Sequence, residues 1–117
     1  VEDPPALARY LAPGAAVLVA DPGPDPDIAM LEAGVDPPWA GGGGRHAIPA
    51  ILAEVRRHRT TLIFHNTRAQ AELFFRDLWL ANTDDLPIAI HHGSLAREQR
   101  ARVEAAMTAG ALRAVVC

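Results

Sequence analysis

Residues 61–117 decide the fold: TLIFHNTRAQAELFFRDLWLAN over 61–82, then DLPIAIHHGSLAREQRARVEAAMTAG over 85–110, then ALRAVVC over 111–117. TLIFH is a continuous apolar run of strand length, and the next segment places Ala71, Phe74, Phe75 and Leu78 on one face at helical spacing. IAIH is a second apolar run. Residues 94–110 form a further helical pattern with Val103, Ala106 and Met107 inward and Gly110 as its C-terminal cap, before LRAVVC as another strand. Strands apolar on both faces and separated by helices predict an α/β fold, a parallel sheet with helices on both faces reached by right-handed crossovers.

Working backwards, Pro49 opens one more helix, with Ile48, Ile51, Leu52 and Val55 at i, i+3, i+4 and i+7. Arg56, Arg57 and Arg59 lie near its C-terminal end, where cations suit the macrodipole. From Arg45 the order is therefore α-β-α-β-α-β. Upstream the pattern changes. Residues 1–12 read as a short helix, with Pro4 and Pro5 in its first turn, Leu7, Tyr10 and Leu11 at helical spacing, and Pro13 and Gly14 as its stop; AAVLVA at 15–20 reads as a strand. DPGPDPD at 21–27 tolerates neither helix nor central strand and reads as a stiff, solvated linker with a domain boundary near 22–27. Residues 28–31 have the makings of a short strand before irregular chain through Trp39 and the glycines Gly41, Gly42, Gly43 and Gly44.

Composition narrows the class. At 117 residues and half hydrophobic, the chain is about one small domain, with no apolar run near the roughly 18 residues of a membrane span. An acidic, proline-bearing N-terminus lacks the pattern of an export signal, and a lone Cys117 makes no disulfide framework, so the expectation is a cytoplasmic chain. The net charge of −3 is unevenly spread, because residues 1–36 carry seven acids against Arg9 while ten of the eleven basic residues lie beyond them. Every one of those basic residues is arginine, whose planar fork suits phosphate.

In open parallel sheets ligands meet the carboxyl ends of strands and the N-termini of the following helices. Two such junctions are legible. At the first, Asn66, Thr67 and Arg68 open a helix that Thr67 can cap with Gln70 three residues on, leaving free amides beside an arginine. At the second, His92, Gly93 and Ser94 offer a tight turn and a hydroxyl able to cap a helix or meet an anion, followed by Arg97, Arg100 and Arg102. Each is also readable as plain capping, but both should lie on one sheet edge, and two phosphate cups in a row suit a nucleic-acid backbone. The four glycines are not followed by Gly-Lys-Ser/Thr, and the five histidines show no paired metal-ligand spacing, so a flexible connector and no metal site are expected. Cys117 is expected as a small core residue.

TLIFHNTRAQAELFF, IAIHHGSL and REQRARVEAAMTAGALRAVVC resemble the second RecA-like lobe of superfamily-two helicases, and most closely the Lhr-type group with its bacterial ligase-associated DEXH-box DNA helicases. The resemblance implies a partial RecA-like domain, truncated at its C-terminal end: residues 1–21 as the end of lobe one, 22–45 as the interlobe linker and start of lobe two, and 46–117 as the first part of the helicase C-terminal domain. It implies an ATP-dependent DNA helicase, an ATP hydrolase working with ATP and Mg in the complete protein, of which this piece alone is inactive. Asn66, Thr67 and Arg68 would face DNA, and His92, Gly93 and Ser94 would hold a phosphate of the tracking strand. Implied partners are single-stranded DNA or a 3′ overhang, the remaining parts of the same helicase, and a DNA ligase and nuclease of a repair operon, with no membrane. The alternative is a free-standing α/β nucleotide- or anion-binding module without motor activity.

Overall fold

The computed structural model describes residues 3–12 and 14–117. Its elements are α1 (Pro4–Leu11), α2 (Ile48–Arg57), β1 (Thr61–Ile63), α3 (Arg68–Ala81), β2 (Ile88–Ile90), α4 (Arg97–Thr108) and β3 (Ala114–Val116), with a 3-10 turn at Arg45–Ala47 ahead of α2. The three strands pair in parallel in the order β1-β3-β2, with Ile63 opposite Val116 and Ile90 opposite the same residue on the other side. The chain thus passes over β3 to reach β2 and then returns to it. Right-handed crossovers in opposite directions put α3 and α4 on opposite faces, the doubly wound arrangement expected from the sequence.

Side-chain alternation along the strands explains the core. Ala114, Val116 and Ile88 face the layer of α2 and α3, where they meet Ile48, Leu52, Val55, Ala71, Phe74 and Leu78. The periodic apolar faces of both helices are therefore the buried ones, with Phe75 and Ile51 partly covered at the margin. Val115 points the other way and is also fully buried, whereas α4 contributes only the half-buried Val103, Ala106 and Met107. On that face β1 lies open: Leu62 is 46% and Phe64 74% exposed. TLIFH is accordingly a strand over three residues rather than five, and not apolar-buried on both sides.

Three local expectations need correction. AAVLVA forms no strand; it runs as irregular chain with Leu18 and Val19 exposed, because a strand requires a hydrogen-bonded neighbour and none of the described residues supplies one. Residues 28–31 likewise form none. The helix expected over 94–110 starts at Arg97, three residues late. α1 forms as expected, its Asp3 carboxylate accepting from the Ala6 amide, but buries nothing; Pro13, read as its stop, lies outside the described residues. Gly110 closes α4 as anticipated: at φ +67° it donates to Met107 O while Ala111 donates to Ala106 O, both at 2.9 Å, the double bond of a Schellman cap. No helix among the described residues is long and apolar enough to cross a membrane.

Candidate nucleic-acid interface

Parallel strands end on one edge, so the segments leaving β1 and β2 emerge together beside the last residue, Cys117. The ladder runs to that rim: His65 donates its amide to Cys117 O and His91 to Val116 O, each at 2.8 Å. From this fixed point Asn66 and Thr67, both exposed, lead into α3. Thr67 is extended (φ −140°, ψ 149°) and its hydroxyl accepts from the Gln70 amide at 3.2 Å, the cap expected from the sequence. The remaining first-turn amides of this fourteen-residue helix carry the positive end of its dipole.

The second junction differs from expectation in an informative way. Leu95 donates its amide to His92 O at 3.1 Å, closing a turn over residues 92–95 that delays α4. The cap position is then Ala96, which has no side-chain acceptor, and Ser94 does not cap. Its hydroxyl instead accepts from Arg68 Nη1 at 2.7 Å. One hydrogen bond thereby joins the two junctions that the sequence placed only on a common edge. Gly93 is exposed, is not in the left-handed region, and an added Cβ there would meet nothing within 4 Å. The turn itself does not demand glycine; the backbone is simply open to an approaching group.

The charge balance leaves Arg68 without a carboxylate partner among the described residues. Arg45 and Arg76 both pair with Asp77, Arg56 with Asp84, and Arg57 with Glu54. Arg68 has only a neutral hydroxyl as partner among the described residues, so its charge is uncompensated and its other N–H groups remain available. Arg97 and Arg102 are exposed on α4 and Arg100 is half-buried. His92, named from the sequence, is nearly enclosed: its side chain is 9% exposed and its Nε2 stands 3.2 Å from Glu72 Oε1. Glu72 was not singled out by its sequence, although its position one helical turn after Arg68 was the available signal.

Flanking groups are not poised for acid–base chemistry. His65 stacks on Phe74 with centroids 4.6 Å apart, and burial lowers its pKa from the ordinary 6.5, favouring the neutral ring. Burial pushes the Cys117 thiol up, away from the nucleophilic thiolate. No group of three potential metal ligands occurs among the described residues. Gly41, Gly42, Gly43 and Gly44 all have positive φ and run through turns into the 3-10 segment, not from a strand into a helix as a phosphate loop does.

Comparison with known proteins bears on this geometry. No protein-family profile matches the chain. Over 73 residues it is 38% identical to the ATP-dependent helicase Lhr-Core of Sulfolobus acidocaldarius, and over 71 residues 42% identical to that of Saccharolobus solfataricus. The chain resembles a segment of the Lhr helicases. Each of those alignments takes in 56% of the chain and 8% of the relative, so the Lhr-like segment spans less than a tenth of the length of these proteins. The Lhr helicase/uracil glycosylase of Escherichia coli is 34% identical over 96 residues, covering 56% of the chain and 6% of that protein. Among solved structures, Mycobacterium smegmatis helicase Lhr bound to ssDNA and AMP-PNP matches 60% of this chain and 10% of its own, with a TM-score of 0.55 and 33% identity.

Proposed function

We propose that this chain is part of an ATP-dependent DNA helicase acting in DNA repair, the portion of its second motor lobe that grips the backbone of single-stranded DNA or a 3′ overhang. The observation that carries the reading is the Arg68–Ser94 hydrogen bond between the N-terminus of α3 and the turn that precedes α4. It gathers an uncompensated guanidinium, a hydroxyl whose own proton is free to donate, and the first-turn amides of α3 at one rim, all donors and no carboxylate acceptor in the bond itself. Contacts of this kind meet phosphates and ignore bases, as translocation along any sequence requires. The similarity to a helicase solved with ssDNA supports the same ligand.

In this reading residues 1–21 belong to the end of lobe one, 22–45 to the linker and start of lobe two, and 46–117 to the lobe itself. AAVLVA would then find its neighbouring strands in lobe one. The residues described here do not fit a nucleotide: the glycine run lacks both the lysine and the strand-to-helix geometry of a phosphate loop. ATP and magnesium would be held by other parts of a larger cytoplasmic protein, and a ligase and nuclease would be its repair partners. Titrating an oligo-dT strand into the isotopically labelled chain tests the grip. The amide signals of Asn66, Thr67, Arg68, Gly93 and Ser94 should move, and move less as salt is raised. Shifts confined to the opposite rim, around Asn82 and Leu112, would contradict the reading.

A further inference from the structure

The contact between α3 and the 92–95 turn has two points, and only one of them belongs to the grip. Arg68 and Glu72 stand one turn apart on α3, and Ser94 and His92 stand two residues apart on the turn, so that 68 reaches 94 at 2.7 Å while 72 reaches 92 at 3.2 Å. The partners differ in environment. His92 is nearly enclosed at 9% exposure, while Glu72, 60% exposed, comes to it from outside. Neither ring nitrogen of His92 has a hydrogen-bond partner among the described residues, and Nε2 meets Glu72 Oε1 only as a 3.2 Å charge contact, an ion pair when the ring is protonated. The Glu72 carboxylate is the one polar group among the described residues that meets this enclosed ring, and it lies against the residue that immediately precedes Gly93.

We infer that Glu72 is a positioning residue for the phosphate grip: through His92 it holds the 92–95 turn in place so that Ser94 stays with Arg68 and the Gly93 and Ser94 backbone faces the ligand. The inference rests on the proposed grip and deepens it. It also makes a prediction opposite in sign to simple electrostatics. Glu72 places a negative charge one turn from Arg68, on the side where a phosphate would bind, so charge alone makes its removal favourable to DNA. Positioning makes its removal unfavourable.

The test uses the 117-residue chain and a fluorescein-labelled oligo-dT strand, read by anisotropy, with folding of each variant verified by circular dichroism. Glu72→Ala should bind about fivefold more weakly, as loss of one polar contact implies, despite shedding a negative charge. Glu72→Gln keeps an acceptor for His92 and should bind at least as tightly as the parent. In Glu72→Ala, amide exchange at Gly93 and Ser94 should quicken, and in Glu72→Gln it should not. Arg68→Ala separates the two levels of the account. If the parent does not bind the strand, or Arg68→Ala binds like the parent, the grip itself is wrong and the inference goes with it. If Arg68→Ala weakens binding while Glu72→Ala binds equally or more tightly, the grip stands and Glu72 does not position it.

Discussion

Arg113, at the foot of β3, donates from Nη2 to the Arg56 carbonyl at 2.8 Å and to that of Val55 at 3.1 Å, closing the C-terminal end of α2 from across the core. These are two of the carbonyls a helix leaves without partners, and the guanidinium also meets the negative end of the dipole. Half-buried, the bond ties the first helix of the layer to the central strand.

Arg113→Ala should therefore destabilise the fold by about 2 kcal/mol, the range for hydrogen bonds to a charged donor. Urea unfolding would measure it. Arg113→Lys, without the fork, should recover only part of the loss.

Gly110 offers a separate check on the α4–β3 connection. Its φ of +67° lies in the left-handed region, yet a Cβ there would meet nothing within 4 Å. Gly110→Ala should cost about 1 kcal/mol through backbone strain alone, with no packing penalty. Gly93→Ala, at a position free of left-handed strain, should cost much less; equal losses at the two sites would refute the distinction.

Acid should weaken the fold in two steps. Burial holds His65 below the ordinary 6.5, so in the window between its folded and unfolded pKa the unfolded chain binds more protons, and stability falls as pH drops through it. At lower pH the same sign applies to Asp77, whose carboxyl is held below the usual range chiefly by the hydrogen bond from Arg76 and further by Arg45; its contribution is present above the unfolded value of 3.8 and lost as pH falls through the folded one. His65→Gln should flatten the first step and leave the second, in thermal melts followed across pH.

The parallel layer was legible because its cues are local. Ile48, Leu52 and Val55, then Ala71, Phe74 and Leu78, repeat at helical spacing, and short apolar runs separate them. What escaped the sequence depends on contacts between distant residues. AAVLVA finds no strand neighbour among residues 3–12 and 14–117, and its composition carries no information about neighbours. Thr67 caps as read because the cap is a three-residue affair. Ser94 does not, because the 92–95 turn moves the start of α4 to Arg97, and its hydroxyl meets Arg68, 26 residues away, instead. Glu72 was overlooked for the same reason: its significance lies in His92, across the junction.

The chain by itself should not hydrolyse ATP, since its sequence contains neither a Gly-Lys-Ser/Thr loop nor an Asp-Glu-X-His motif to hold magnesium. Phosphate release would be followed with and without single-stranded DNA. Turnover that survives repurification and responds to substitutions in this chain would overturn that expectation.

The central claim is that Arg68 and Ser94 hold a phosphate, and salt dependence tests it most directly because charge and hydrogen bonding leave different signatures. Each phosphate neutralised on a single strand contributes about 0.7 to the slope of log affinity against log salt. For binding to oligo-dT across a salt series, Arg68→Ala should make the slope shallower by about 0.7, whereas Ser94→Ala should weaken binding with the slope nearly unchanged, and both losses should be the same on mixed sequences. A parental slope retained by Arg68→Ala, together with parental affinity in Ser94→Ala, would reduce their 2.7 Å contact to a structural bond between two loops and contradict the account.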